Sequence, residues 1–170
     1  MRLSQSEIRE FNNYAQDIFR LQQFHEMKYY LQHGNTSTFL HCMVVAYYSY
    51  LLSLRLPVQF DNRSIVRGAL LHDFYLYDWH IPDGRHKLHG FVHPGFALTN
   101  AKKYFKLNQI ESDIIAKHMW PLTVTKYPKY KEALLVCLVD KYCSLAETLH
   151  ISILPEEYKQ YCLTIITKHE

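Results

Sequence analysis

An apolar, helix-forming segment reads Ile65-Val66-Arg67-Gly68-Ala69-Leu70-Leu71-His72-Asp73. It ends in an imidazole beside a carboxylate, His72 and Asp73, although its aliphatic side chains predict burial. Burying such a polar pair costs free energy unless a partner compensates for the lost hydration, and a divalent metal ion is a common partner. The segment therefore predicts a metal site inside a helical domain.

The composition of the chain is that of one globular protein domain. It has 170 residues, of which 48% are hydrophobic and 21% are charged, enough to bury a full core. We therefore expect a single domain over residues 1–170. The formal net charge of +3 is too small to indicate a nucleic-acid surface, so a nucleic acid is not expected as a partner.

The chain predicts an all-α fold, a compact helical bundle, because it has only five glycines and six prolines and no strand-like alternation. Ser4 or Ser6 is expected to cap a first helix. A second helix is expected through Phe24 and Leu31, until His33-Gly34-Asn35 breaks it. Further helices are expected from Thr36 or Ser37 to about Leu54, from Asp61 or Asn62 through His72, from His93-Pro94, over residues 109–118 and 129–148, and from Pro155.

A long loop is expected over residues 79–90, directly after the His-Asp pair. It contains Pro82, Gly84 and Gly90, with mixed charge and no helical period. Because it leaves one candidate ligand segment and returns to another, we expect it to form a mobile rim over the site.

The cysteines and the N-terminus favour a soluble protein of the cytoplasm. Cys42, Cys137, Cys143 and Cys162 have no C-x-x-C spacing and lie mostly in apolar stretches, so we interpret them as buried free thiols. The first seven residues lack the apolar core of a signal peptide, and no stretch approaches the roughly 20 apolar residues that span a bilayer. A membrane association is not expected.

The candidate metal ligands are six residues spread along the chain: His41, His72, Asp73, His93, His118 and Asp140. A single histidine on an apolar helix face is more often a core or surface residue than a ligand. Asp140 has support of its own, because on a helical wheel it shares a stripe with Val136, Cys143 and Glu147. A carboxylate that faces a core without a cation is uncommon.

The order His…His-Asp…His…His…Asp resembles the HD superfamily of metal-dependent phosphohydrolases, over the region Thr36–Glu147. Leu70-Leu71-His72-Asp73 is similar to the motif that names the family. His93-Pro94 resembles the helix start found in the two-metal branch, and Ile114-Ile115-Ala116-Lys117-His118 resembles the fourth-ligand helix.

This resemblance implies that Asp73 bridges two divalent metal ions. His41, His72 and Asp140 would bind one ion, and His93 and His118 the other, with His72 and Asp73 as the catalytic pair. Such nitrogen and oxygen donors suit Fe, Mn, Co, Ni or Zn better than Ca. The implied activity is cleavage of a phosphate ester of a nucleotide or another small metabolite by a metal-activated water.

Residues near the ligands in the sequence are candidate substrate contacts: Arg67, Arg85, Lys87, Lys117, Lys141 and Trp120. For each cation, a solvated surface charge is the alternative. Trp79 and Trp120 either wall a pocket or fill the core. His80, His86 and His89 do not match the ligand pattern, and we interpret them as loop residues near the pocket.

Two other classes of function remain open from the sequence. Some HD-like proteins use the same ligand set to hold two irons that activate O₂, and others retain the metals as sensing or scaffolding domains without turnover. A cyclic dinucleotide is not favoured as substrate, because Phe74-Tyr75-Leu76 follows the His-Asp pair where related cyclic-dinucleotide phosphodiesterases have Gly-Lys.

Overall fold

The computed structural model describes residues 2–81, 88–151 and 153–167. The described elements in chain order are α1 (Gln5–Phe19), α2 (Gln22–Glu26) with a 3₁₀ turn (Met27–Tyr29), β1 (Leu31–His33), β2 (Thr36–Ser37), α3 (Thr38–Arg55), α4 (Asn62–Leu71), α5 (His89–Tyr104), α6 (Gln109–Lys117), α7 (Lys131–Thr148) and α8 (Glu156–Thr167). The all-α fold is confirmed, with one small two-stranded hairpin added. No helix within these ranges is long and apolar enough to cross a membrane.

Helix α3 lies at the centre of the fold and is buried on nearly every side. It packs against α4 and α7, while α4 also packs against α1 and α6. Glycine at position 68 permits the contact between α4 and α6, since a Cβ there would lie 2.5 Å from Ile114 Cδ1. The end of α4 lies beside the first turns of α3, where His72 Nδ1 is 3.8 Å from Cys42 Sγ, and the end of α6 lies beside the middle of α7, where Lys141 donates to the His118 carbonyl.

Side-chain caps begin several helices where the sequence predicts them. Ser4 forms a capping box with Glu7 at the start of α1, Ser37 accepts from the Leu40 amide of α3, and Asp61 accepts from the Ser64 amide of α4. These caps satisfy backbone amides that have no partner within the helix.

The predicted second helix is wrong beyond Tyr29. The chain turns extended at Tyr30, and β1 pairs antiparallel with β2 across a turn in which Gly34 adopts a φ of +55°. The extended segment carries the Gln32 side chain into the interior, where its amide donates a hydrogen bond to the buried carboxylate of Asp73. Local apolar spacing does not record that long-range contact.

Helix α5 begins one turn earlier than predicted, at His89 rather than at His93. Pro94 therefore lies inside the helix, where it removes only the backbone hydrogen bond to the Gly90 carbonyl. The early start places His89 and His93 on one face with their rings stacked, 4.5 Å between centroids. The predicted loop accordingly ends at Leu88, and its residues 82–87 lie outside the described part of the chain.

Candidate metal centre

The structure brings all six candidate ligands together in the interior. They lie on α3 (His41), at the end of α4 (His72 and Asp73), on α5 (His93), at the end of α6 (His118) and on α7 (Asp140), and all six are buried. Two overlapping triads, His41–His72–Asp140 and His72–Asp73–His118, each place one ligand atom per residue within 4.8 Å of the others. Five helices thus contribute to one cluster.

The first group of ligand atoms surrounds one oxygen of Asp73. His41 Nε2 lies 3.8 Å and His72 Nε2 lies 3.3 Å from Asp73 Oδ2. The same two nitrogens lie 3.1 Å and 3.7 Å from Asp140 Oδ1. Two imidazoles and two carboxylates therefore face a common point.

The second group surrounds the other oxygen of Asp73. His93 Nε2 lies 3.0 Å and His118 Nε2 lies 3.4 Å from Asp73 Oδ1. The two imidazole nitrogens are 2.7 Å apart. Asp73 thus divides the cluster, with one carboxylate oxygen toward each pair of histidines.

These separations fit metal coordination. Two ligand atoms that bind one ion at about 2.1 Å, with an angle of roughly 90–110° between them, lie about 3.0–3.4 Å apart. The contacts around Asp140 and both oxygens of Asp73 cluster around this range, from 2.7 to 3.8 Å. The cluster is therefore compact enough to hold metal ions between its ligand atoms.

Backbone carbonyls fix the orientation of three imidazoles. The Nδ1 atoms of His72, His93 and His118 lie 2.7 to 2.9 Å from the carbonyls of Ala69, His89 and Ile115. Since a carbonyl only accepts, each Nδ1 carries the proton and donates. Each Nε2 then points its lone pair into the cluster, which is the arrangement that metal-binding histidines use.

Glu147 fixes the orientation of the His41 imidazole in the same way. Its Oε2 lies 2.9 Å from His41 Nδ1, and the Glu147 side chain is buried on α7. The sequence places Glu147 on the same helical stripe as Asp140, two turns further on, but nothing local assigns it to a particular histidine. Only the packing of α3 against α7 shows that it orients His41.

Two polar atoms of the buried cluster are left without a hydrogen bond within the described part of the chain. His72 Nε2 and Asp73 Oδ1 are buried and have no hydrogen-bond partner among the described residues. Leaving such atoms unpaired is costly, and a cation between them removes the cost. The orphaned atoms belong to the two groups defined by Asp73, so both groups fit a metal ion.

The carboxylates make this interior strongly favourable for positive charge. Burial opposes a charged His41, but hydrogen bonds to Asp140 and Glu147 outweigh it and raise the pKa of His41 to about 10. Burial also opposes the charged form of Asp73, yet the neighbouring imidazoles hold its pKa well below the usual range. By contrast, burial lowers the pKa of His118. The electric field that retains protons here would also retain a divalent cation.

Gln32 is a part of the site that the sequence did not reveal. Its side-chain amide donates to Asp73 Oδ2 at 2.6 Å, and its carbonyl oxygen accepts from the Tyr75 and Thr38 hydroxyls. Gln32 and Asp73 are 41 positions apart, and Gln32 lies in a segment predicted to be helical. No motif or spacing signal in the sequence points to this contact.

A cavity of about 620 Å³ opens onto the cluster. Asp73, His93, His118 and Asp140 form its polar floor, and Trp79, Leu88, Phe91 and Met119 are among its apolar lining residues. Trp79 thus lines the pocket, as one of the two sequence interpretations proposed. No lysine or arginine is among the lining residues within the described ranges.

His89 is a partly buried helix residue and not part of an exposed loop. It is the first residue of α5 and stacks between Trp79 and His93, with interplanar angles of 16° and 18°. The Tyr77 hydroxyl contacts its Nδ1 at 3.0 Å. The stacked rings lead from the rim of the cavity to His93, so His89 both lines the pocket and supports a ligand.

The candidate substrate contacts that the structure describes do not line the cavity. Arg67 is buried between α1, α4 and α6, where its Nε donates to Glu111 at 2.8 Å and its Nη1 contacts Asp17. Because Glu111 and Asp17 neutralise the Arg67 charge outside the cavity, Arg67 is not part of the candidate site.

The other candidates also have local partners or lie outside the described ranges. Lys117 pairs with Asp113 at 2.5 Å, and Lys141 donates to the His118 carbonyl at 2.7 Å. Trp120 is half-buried and does not line the cavity. Arg85, His86 and Lys87 lie outside the described residues. Lys141 thus supports the candidate ligand His118 rather than the pocket wall.

Comparison of the chain with protein-family models, curated proteins and solved structures finds no match.

Proposed function

We propose that this chain is a metalloenzyme whose buried His/Asp cluster binds two divalent ions. More particularly, we propose an HD-type phosphohydrolase that cleaves a phosphate ester of a nucleotide or another small metabolite. One observation carries the proposal: the two oxygens of Asp73 face different pairs of histidines, at 3.3–3.8 Å on one side and 3.0–3.4 Å on the other. A single metal ion would not require the two oxygens of Asp73 to face different pairs of histidines.

The ligand set divides accordingly. His41, His72, Asp140 and Asp73 Oδ2 would hold one ion, and His93, His118 and Asp73 Oδ1 the other. A bound pair of divalent ions lowers the pKa of a water toward about 7 and stabilises the oxygens of a phosphoryl group. The net positive charge of such a site attracts phosphate without a lysine or arginine in the wall.

The protein's own residues orient this centre. Gln32 fixes Asp73, Ser144 donates to Asp140 Oδ1 at 3.3 Å, and Lys141 holds the end of α6 through the His118 carbonyl. The apolar wall that includes Trp79, Leu88 and Phe91 excludes water from part of the cavity and offers a surface for the organic part of the substrate. In the proposed enzyme, these contacts would position the ester over the ligand cluster.

The test is metal-dependent hydrolysis. The chain, purified without chelator and loaded with Mn²⁺, should release phosphate or nitrophenol from generic aryl phosphate mono- or diesters. Chelation should abolish turnover, and Mn²⁺ should restore it. His118→Ala should remove activity, whereas the matched variant His80→Ala, at an exposed histidine, should retain it. Turnover that survives chelation would contradict the proposal.

The cavity wall also favours a second candidate, oxidation of a small organic molecule by O₂ at a di-iron form of the same ligand set. The supporting observation is the absence of lysine and arginine among the described lining residues, together with the apolar rim. Substrate-dependent O₂ consumption by the iron-loaded protein would support this candidate. Phosphate release from the Mn²⁺ form under anaerobic conditions would support the hydrolase.

A further inference from the structure

The outward side of α7 is apolar, although it faces solvent. We define the α7 outer face as Leu134, Leu138, Tyr142 and Leu145, whose exposed fractions are 42%, 54%, 59% and 61%. Their spacing of four, four and three positions places them on one side of the helix. The opposite side of α7 carries Asp140 and packs into the core.

Charged side chains are nearly absent from this face. Every residue of α7 is described, and Lys131 at its first position is its only exposed charged residue. Lys141, the cation nearest the middle of the face, turns toward the His118 carbonyl. A helix that is apolar on both its inner and outer sides belongs in a buried environment.

A groove runs beside the α7 outer face. Tyr48, Leu51 and Leu52 of α3 and Leu135, Leu138, Val139 and Tyr142 of α7 enclose about 550 Å³. The surface thus offers an apolar ridge next to an apolar groove. A ridge and a groove on the same patch can fill each other when two identical copies meet around a twofold axis.

The size of the patch also matches a dimer. Leu149, four positions after Leu145, extends the α7 outer face past the helix end, with an exposed fraction of 60%. Because a large apolar side chain carries on the order of 200 Å², these five half-exposed side chains present roughly 500 Å², toward the upper end of the about 300–600 Å² of the largest apolar patch on a typical monomer, which is often functional. A stable interface buries about 800 Å² per partner, of which about two-thirds is apolar in homodimers, so the patch supplies the apolar part of such an interface.

We propose that the α7 outer face is the interface of a homodimer, with a second copy of this chain as its occupant. A membrane surface fits less well, because helices that lie in that interface carry several lysines or arginines beside their apolar face. The dimer contact lies on the side of α7 opposite Asp140, so substitutions on the outer face leave the ligand cluster intact.

The oligomeric state of the full chain tests the proposal. Light scattering after size exclusion at tens of micromolar should give the mass of a dimer. Leu138→Arg with Leu145→Arg should raise the dissociation constant at least about 100-fold, because two charges would be buried in an apolar contact. The matched variant Val124→Arg with Tyr127→Arg, at residues 75% and 62% exposed in the α6–α7 connection, should remain dimeric.

Disulfide cross-linking is a second test, independent of the mass measured by light scattering. Tyr142 is central on the outer face, so Tyr142→Cys should form an intermolecular disulfide under mild oxidation, whereas Tyr127→Cys should not. The four native cysteines are buried, and the unmodified chain measures their background. A monomeric unmodified chain, a dimer that persists in the Leu138→Arg, Leu145→Arg variant, or binding of the monomer to lipid vesicles through this face would overturn the proposal. Circular dichroism and metal content confirm that each variant is folded.

Discussion

Gln32 donates a hydrogen bond from its side-chain amide to Asp73 Oδ2 at 2.6 Å, joining the small hairpin to the carboxylate that divides the candidate metal centre. Gln32 is itself held by the hydroxyls of Tyr75 and Thr38. The orientation of Asp73 therefore depends on a residue from an element that carries no ligand. This relationship makes Gln32 a positioning residue in the proposed enzyme.

The first prediction concerns that hydrogen bond. Gln32→Ala should weaken metal binding about 10–100-fold, because partners that orient a ligand contribute this much in metalloproteins. The loss should appear in the metal dissociation constant and in kcat more than in KM. Isothermal titration with Mn²⁺ measures the first, and Gln5→Ala, at an exposed position on α1, is the control. Unchanged metal affinity in Gln32→Ala would contradict a positioning role.

The second prediction concerns Asp73 itself. Asp73→Asn keeps the shape of the side chain but removes the negative charge shared by both groups of histidines. We expect a folded protein that binds less metal and has lost turnover. Elemental analysis and the aryl phosphate assay measure the two effects. Asp78→Asn, five positions along the chain and paired with His80, should behave as the unmodified protein. Full activity in Asp73→Asn would exclude the bridging role.

The third prediction concerns the number of ions. The chain should approach two equivalents of metal, and the double variant His93→Ala, His118→Ala should retain about one. The physical reason is that these two imidazoles lie 3.0 and 3.4 Å from Asp73 Oδ1, whereas His41 and His72 lie beside Asp73 Oδ2 and Asp140. Saturation of the unmodified chain at one equivalent would replace the binuclear mechanism with a mononuclear one.

The fourth prediction concerns the contact between α4 and α6. Gly68→Ala should destabilise the fold by about 1–3 kcal/mol, because overpacking a closed core costs this much. The new Cβ would meet Ile114 at 2.5 to 2.9 Å, and both residues lie inside helices. Urea unfolding measures the change. Gly95→Ala is the matched control, since nothing lies within 4 Å of its Cβ, and it should be neutral or slightly stabilising.

The fifth prediction concerns pH. Hydrogen bonds from Arg55 and from the Ser4 backbone lower the pKa of Glu7 from 4.5 to about 2. A lowered pKa in the folded state means that the ionised form stabilises the fold above about pH 4.5 and that this stabilisation disappears as the pH falls toward 2.

Glu7→Gln should therefore be less stable than the unmodified chain at pH 7, and the difference should shrink between pH 4.5 and 2. The effect is small because Glu7 and Arg55 are partly solvated, and added salt should reduce it further. Urea midpoints measured across this pH range test the prediction. A difference that grows toward low pH would contradict it.

The sequence by itself determined the helical fold and the identity of the six candidate ligands. Helical spacing, caps such as Ser37 and Asp61, and the scarcity of glycine and proline are local signals, and local backbone preferences follow them. The order of histidines and aspartates indicated which residues would meet through its resemblance to the HD pattern, whereas helical period by itself predicts only which side chains face the interior.

Tertiary structure alone decided what surrounds those ligands. Gln32 reaches Asp73, Glu147 reaches His41, and α5 gains a turn that stacks His89 on His93, and each of these depends on contacts between distant segments. The two oxygens of Asp73 face different pairs of imidazoles, and this arrangement likewise depends on how five helices pack together. Short-range sequence patterns record helical period and burial, whereas such distances arise only when the helices pack together.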